Sequence, residues 1–181
     1  MSKTTSKKKR LSLRQKRRRR ERFLLLGGGT ALVLAVAGIL YLAFRPLPGD
    51  KIPDMGNQHI APPQKATYNS VPPTSGPHYE SIAPWGIHET PISNEFQVHN
   101  LEDGGVMVQY NCPDGCPDLV QQLSDIVDRF PEGVILAPYP DMEARIALTA
   151  WGRIDTMDAF DQQRILKFIR AHRGRDHHVT Y

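Results

Sequence analysis

The chain has 181 residues, a length typical of one folded domain with extensions. Its net charge of +4 averages two opposite regions. Residues 1–22 carry 12 Lys or Arg and one acid, whereas residues 45–181 carry 11 Lys or Arg and 18 acids. This distribution excludes a basic folded domain, because the basic residues belong to a tail and the folded part is acidic. GxSxG, HExxH, CxxCH and a phosphate-binding glycine loop are also absent, so the sequence carries no signature of those enzyme classes.

Residues 23–44, FLLLGGGTALVLAVAGILYLAF, contain no charged side chain. At about 1.5 Å rise per residue, a helix of this length spans a hydrocarbon core of about 30 Å. The segment is also longer than the apolar region of a signal peptide, roughly 7–15 residues. We therefore predict a retained transmembrane helix, with a cleaved signal peptide as the alternative.

The basic tail, residues 1–22, predicts the orientation of this span. Lys and Arg resist translocation, so the tail is expected in the cytoplasm and the remainder outside it, as a single-pass protein of the cell membrane. The tail lacks the interleaved aromatic residues of many nucleic-acid-binding segments and adjoins the span, so we expect lipid rather than nucleic acid as its partner. The arginines nearest the span would bind anionic headgroups: Arg17, Arg18, Arg19, Arg20 and Arg22.

The outer part divides into a linker over residues 45–55, a domain over 56–173 and a tail over 174–181. Prolines throughout 45–95 exclude a long helix or an inner strand there. Histidine, tyrosine and tryptophan side chains in the second half of this stretch are unusual for a passive linker. We expect residues 56–95 to form a long ordered loop around the core.

The core is predicted to begin near Glu95 with two strands, EFQVHNL and VMVQY, joined by an EDGG turn. A helix follows from Pro117, because apolar residues recur at three- and four-residue steps up to Phe130. VILAP and RIALTAW are predicted strands, and a second helix is predicted over about 157–171, capped by Asp155 or Thr156. This order predicts an α+β fold, a small mixed β-sheet with two covering helices.

Both cysteines lie in CPDGCP, at the predicted junction between a strand and a helix. The helix N-terminus favours a thiolate at Cys116, the form that attacks disulfides and binds soft metals. Outside the cytoplasm, however, neighbouring cysteines usually oxidise to a disulfide. The phrase is similar to the CPxxCP loop of Sco-type copper chaperones, and this local resemblance would place Cys112 and Cys116 on copper. Disulfide, metal ligand pair and redox-active dithiol all stay open.

Three histidines, His59, His78 and His99, each lie beside turn-forming residues, where side chains can converge on a site. Neutral imidazole is the commonest protein metal ligand, although each ring alone is equally suited to hydrogen bonding within a loop. The carboxylates that follow His99 in HNLED fit general acid–base chemistry or plain turn chemistry. Asp176–His178 is a further metal-binding candidate at the chain end.

The phrases PPTSGPHY, VHNLEDGGVMVQY and TAWG before a helix, in this order, resemble the domain-of-unknown-function family numbered 3105. The resemblance covers residues 56–173 and implies a single-span anchored protein with an outer domain, but no activity. The family's phrase is HNLEHGG, and Asp103 replaces its second histidine here. A ligand at this position would offer oxygen in place of nitrogen, which suits a harder ion or indicates a lost site.

The leading hypothesis is a membrane-anchored metal-binding protein, with copper as the first ion and zinc as the alternative, for metal delivery or assembly of a membrane complex. An enzyme is not required. The second hypothesis is a disulfide-containing binding domain attached to a membrane complex, and the third is a thiol oxidoreductase. The proposed metal ligands are His59, His78, His99, Asp103, Cys112 and Cys116.

Overall fold

The computed structural model describes residues 32–41, 44 and 46–178. In chain order the elements of residues 46–178 are β1 (Asp50–Lys51), β2 (Gly86–Ile87), α1 (Asn94–Glu102), β3 (Val106–Tyr110), α2 (Pro117–Val127), β4 (Val134–Pro138), β5 (Ile146–Ala150), β6 (Arg153–Met157) and α3 (Gln162–His172). The six strands form one mixed sheet in the order β1-β6-β5-β3-β4-β2. β3 pairs in parallel with β4, and β4 with β2, whereas the β3–β5, β5–β6 and β6–β1 pairs are antiparallel. The fold is therefore α+β with a mixed sheet.

The larger apolar cluster lies on one face of the sheet, beneath α2 and α3. Successive residues of β3 point to opposite faces, so Val106 and Val108 join this cluster while Met107 does not. Leu123 of α2 and Phe168 of α3 are fully buried against it. Both helices have an apolar face at the helical period, and each packs that face on the sheet.

α1 packs on the opposite face of the sheet. Its Leu101 joins a smaller apolar cluster with Met107 of β3 and Ile135 of β4, and Trp85 from the preceding loop packs against the same cluster. The prediction of two covering helices is therefore incomplete, because a third helix covers this face. The segment EFQVHNL was predicted as a strand, and this prediction is wrong: it lies within α1.

The reason for this error is that α1 is buried on nearly all sides. Polar side chains such as Gln97 and Asn100 are as buried as Val98, so apolar residues do not mark a single helical face. Periodicity identifies amphipathic helices and cannot identify a helix with polar partners all round.

The second predicted helix starts later than expected. Asp155 and Thr156, predicted as its caps, lie in β6, a strand that the sequence did not indicate. Asp161 caps α3 instead, because its side chain accepts a hydrogen bond from the Arg164 backbone N–H at 3.0 Å. The predicted start of the other helix at Pro117 is confirmed.

The N-terminal predictions fall mostly outside the described residues. Residues 32–41, within the predicted span 23–44, are helical, and the arginines from 17 to 22 are not described. Among the helices that the structure describes, none combines the length and the apolar character needed to cross a bilayer. Residues 50–51, in the predicted linker, pair with β6 at the edge of the sheet.

Replacement of Gly105 by alanine is expected to destabilise the domain by about 3 kcal/mol through overpacking. A Cβ at this position would lie 2.4 Å from the Asn100 carbonyl oxygen and 2.7 Å from the Trp85 ring. Urea denaturation of the full chain in detergent measures the loss. Gly115→Ala is the matched control: Gly115 has φ of +79° but open space around its Cβ position, so only backbone strain of about 1 kcal/mol is expected. Equal losses in the two variants would contradict this account.

Candidate metal centre

Three histidine rings from separate parts of the sequence lie together beside α1. The ring centroids of His59 and His78 are 4.9 Å apart, those of His78 and His99 are 5.1 Å apart, and those of His59 and His99 are 5.3 Å apart. The structure therefore brings together all three histidines that the sequence singled out.

Backbone pairing positions two of these rings. His59 and His78 face each other in an isolated parallel bridge, in which the Ile60 N–H donates to the His78 carbonyl at 2.8 Å and the His78 N–H donates to the Gln58 carbonyl at 3.0 Å. His99 lies within α1, three residues before Glu102, so the two side chains share one side of the helix. The His59–His78 bridge and the helix α1 thus bring their histidines to the same place.

The hydrogen bonds of the two buried rings define which nitrogen faces the cluster. Nδ1 of His78 lies 2.8 Å from the Gly76 carbonyl oxygen, and Nδ1 of His99 lies 2.6 Å from the Tyr79 carbonyl oxygen. Carbonyl oxygens only accept, so each Nδ1 carries a proton, and the neutral form of such a ring has its lone pair on Nε2. Burial lowers the pKa of His78, which favours its neutral form. A backbone carbonyl on Nδ1 is the usual support of a metal-binding histidine.

The side chain of Glu102 is only 1% exposed and lies at the centre of the group. Its Oε1 accepts a hydrogen bond from Asn57 Nδ2 at 2.6 Å, while its Oε2 lies 2.9 Å from Nε2 of His78 and 3.8 Å from Nε2 of His59. While His78 is neutral, with its proton on Nδ1, its Nε2 lone pair faces a carboxylate lone pair across 2.9 Å. A buried carboxylate in this position is costly without a positive partner, and among the described residues its candidate partners are histidines, which are charged only when protonated.

The donor atoms have the spacing of a metal site. One ligand atom each from His59, His78, His99 and Glu102 lies within 4.8 Å of all the others. Bonds of about 2.0–2.2 Å to one ion place two ligand atoms at most ~4.2 Å apart. Two donor atoms that are 4.8 Å apart would therefore have to approach each other by roughly half an ångström when the ion binds. The 2.9 Å between His78 and Glu102 matches two ligands at about 90° on such an ion, ~3 Å apart. This cluster can hold a metal ion.

A second group of donors overlaps the first at His99. It adds Asp103 and His178, and its ligand atoms again lie within 4.8 Å of one another. Nε2 of His99 lies 3.7 Å from Oδ1 of Asp103, whose side chain is 33% exposed. The predicted ligand Asp103 is therefore beside the site but outside the buried group. A hydrogen bond with Asp176 raises the pKa of His178.

The two cysteines are joined in a disulfide, one of the three states that the sequence left open. Cys116 is the N-cap residue of α2, and both cysteines pack against the apolar cluster beneath α2 and α3. The histidines instead surround α1, which covers the other face of the sheet. In this state the structure does not bring Cys112 and Cys116 into the histidine group, and a disulfide offers no thiolate, so their role as metal ligands stays a prediction.

Glu102 is the site residue that sequence analysis missed as a ligand. The sequence feature that could have identified it is the three-residue spacing in HNLE, which places His99 and Glu102 together only if the segment is helical. Trp151 forms part of the rim: its ring lies edge-on to His78 at 6.3 Å, and its Nε1–H donates to Asp54 Oδ2 at 3.2 Å.

Replacement of Glu102 by glutamine is expected to stabilise the metal-free protein by about 1–2 kcal/mol. The amide oxygen keeps the bond from Asn57, and the new N–H₂ donates to the lone pair on Nε2 of His78. Urea denaturation of the full chain in detergent and chelator measures this gain.

Glu95→Gln is the control for this substitution. Glu95 is a second buried carboxylate on α1, and Lys65 Nζ donates to it at 2.9 Å. Burial alone would raise the pKa of Glu95, but the hydrogen bond and charge of Lys65, together with hydrogen bonds from the backbone N–H groups of Glu95 and Ala66, outweigh burial and lower it. Loss of this charged contact should destabilise the protein. Similar destabilisation by Glu102→Gln would show that Glu102 is an ordinary satisfied carboxylate.

Comparison with known protein families finds one family that matches this chain. The model of a family described as "Protein of unknown function (DUF3105)" matches residues 59–180, more than half of the chain. No curated protein and no solved structure matches the chain. The membrane anchor and the local resemblance to Sco-type chaperones stay predictions. The matched range contains every residue of both donor groups, and the chain belongs to the DUF3105 family.

Proposed function

We propose that this protein binds a transition-metal ion through His59, His78, His99 and Glu102. The observation that carries the proposal is the arrangement around the buried Glu102 carboxylate. Two buried rings, His78 and His99, have their Nδ1 atoms bonded to backbone carbonyls, and their Nε2 atoms lie 2.9 Å from Glu102 and 3.7 Å from Asp103 respectively. Glu102 has no lysine or arginine partner among the described residues. A divalent ion satisfies all of these groups at once.

Copper(II) and zinc(II) are the ions that fit this donor set best. Three imidazoles and a carboxylate provide borderline nitrogen and hard oxygen ligands, which both ions accept. Cu(I) prefers thiolate or thioether ligands, and the disulfide removes the thiolates. Copper(II) binds more tightly than zinc(II) to a given nitrogen and oxygen site, so copper is the first choice.

The exposure of the ligands favours an exchangeable ion. His59 is 45% exposed, whereas His78 and Glu102 are buried, so the site is open to solvent on the His59 side. A purely structural ion is usually closed off from solvent by its ligands, whereas here one of the four ligands is exposed. We propose delivery or sensing of the ion beside a membrane complex, without a catalytic step.

We propose that the domain lies outside the cytoplasm, anchored by the uncharged segment 23–44 and oriented by the basic tail 1–22. A disulfide that persists in the folded protein is typical of an oxidising compartment. The tail would contact anionic lipid headgroups on the cytoplasmic side.

A binding domain without a metal is the competing function. The disulfide favours it, because Cys112 and Cys116 stabilise the start of α2 and leave the histidines to hold the long loop against α1. Crosslinking in membranes would then recover one recurrent partner whether or not a chelator is present.

The full chain, purified in detergent, is expected to bind Cu(II) and Zn(II) with dissociation constants below about 1 μM. Competition with a chromophoric chelator measures these affinities. His59→Ala should weaken binding by about 10–100-fold, because it removes one ligand, and it should leave the fold intact, because the side chain is 45% exposed. His78→Ala should weaken binding at least as much.

Two controls separate ligand loss from general damage. His88→Ala removes a histidine whose Nε2 bonds the Pro84 carbonyl away from the cluster, and it should bind like the wild type. Replacement of both Cys112 and Cys116 by alanine should also retain the affinity. Binding weaker than micromolar in the wild type, or identical affinities for His59→Ala, His78→Ala and His88→Ala, would contradict the proposal.

The topology proposal predicts the compartment of the C-terminus. A reporter that is active only outside the cytoplasm, fused after residue 181, should be active, and its cytoplasmic counterpart inactive. Replacement of Arg17, Arg18, Arg19, Arg20 and Arg22 by glutamine should reduce this asymmetry, because positive charge fixes the orientation. A cytoplasmic C-terminus in the wild type would overturn the proposed location.

A further inference from the structure

A fourth imidazole approaches the Glu102 carboxylate from the end of the chain. Nε2 of His178 lies 3.5 Å from Oε2 of Glu102 and 3.7 Å from Oδ1 of Asp103. Its other ring nitrogen, Nδ1, lies 2.7 Å from Oδ1 of Asp176. A carboxylate on one imidazole nitrogen orients the ring and increases the basicity of the other nitrogen, as it does for many metal-binding histidines.

The backbone of residues 174–178 is attached to the end of α1. The Gly174 N–H donates to the Gly104 carbonyl at 2.8 Å, and the His177 N–H donates to the Glu102 carbonyl at 2.9 Å. The last carbonyls of a helix lack partners within the helix, so they are free to accept these bonds. The ring of His177 also stacks on Trp151, with centroids 5.9 Å apart.

Glu102 therefore contacts the chain end in two ways, through its side chain and through its backbone carbonyl. Its side chain lies against the imidazoles of His78 and His178, and its backbone carbonyl accepts the bond from His177. Three rings have Nδ1 bonded to an oxygen and Nε2 turned toward a carboxylate at the end of α1: His78 toward Glu102, His99 toward Asp103, and His178 toward both.

We propose that residues 174–178, here called the C-terminal strap, deliver His178 as a further ligand of the ion held at Glu102. This inference rests on the proposed metal-binding function. An ion that contacts both α1 and the strap favours the docked strap, and the docked strap in turn raises the affinity for the ion, since the two equilibria are linked. Two backbone hydrogen bonds and the stacking of His177 on Trp151 attach the strap, and its residues 174–176 and 178 are exposed, so its release would provide a route by which the ion enters and leaves.

The test uses the full chain in detergent, with Zn(II) and Cu(II) as the probes. His178→Ala should weaken binding by about 10–100-fold, because it removes a ligand. Gly104→Ala keeps every ligand but should also weaken binding, because a Cβ there would lie 2.6 Å from the Arg175 backbone nitrogen and displace the strap. Gly115→Ala, which has a similar φ and open space, is the control and should bind normally.

Hydrogen exchange of the Gly174 and His177 amides gives a second readout. Added ion should slow their exchange in the wild type and in Gly115→Ala, but not in His178→Ala. Unchanged affinity and unchanged protection in His178→Ala, with a wild type that binds the ion, would overturn the strap and leave the metal site intact. A wild type that binds neither ion would overturn both proposals.

Discussion

The buried carboxylate of Glu102 is the constraint around which the rest of the site is arranged. A carboxylate removed from water is costly unless cations and hydrogen-bond donors compensate it. Asn57 satisfies one oxygen, and the other oxygen faces imidazoles that belong to the loop bridge and to the strap. Segments far apart in sequence therefore converge on one side chain, and the proposed ion would bind donor atoms from each of them.

In α1, the helix that carries this carboxylate, the residues that pack in the apolar core and the residues that face the site occupy different positions. Val98 and Leu101 are fully buried apolar residues, His99 and Glu102 face the site, and Asn100 bonds both the N–H and the carbonyl of Ala83. The larger apolar cluster lies on the other face of the sheet, beneath α2 and α3. The stability of the fold thus depends mainly on the layer beneath α2 and α3, whereas the site lies on the other face of the sheet. This separation allows the domain to retain the electrostatically unfavourable Glu102 carboxylate.

The sequence predicted what depends on periodicity and on single residue types. α2 was predicted from its apolar face, and the three histidines were recognised because their turn contexts favour convergence. α1 was predicted as a strand, since polar residues such as Asn100 are buried there by specific hydrogen bonds that leave no apolar stripe. The same error concealed Glu102 as a ligand, because its proximity to His99 follows only from helical geometry.

The residue after Glu102 bears on which ion the proposed site would prefer. The family phrase that this segment resembles has histidine at this position, whereas Asp103, 33% exposed, places a second carboxylate beside the buried one. An ion that contacted both carboxylates would offset their charge better as a divalent than as a monovalent cation, and oxygen is a harder ligand than nitrogen. With Cys112 and Cys116 in a disulfide, these two residues supply no thiolate. Both features would favour a divalent ion such as Cu(II) or Zn(II) over Cu(I) at the proposed site.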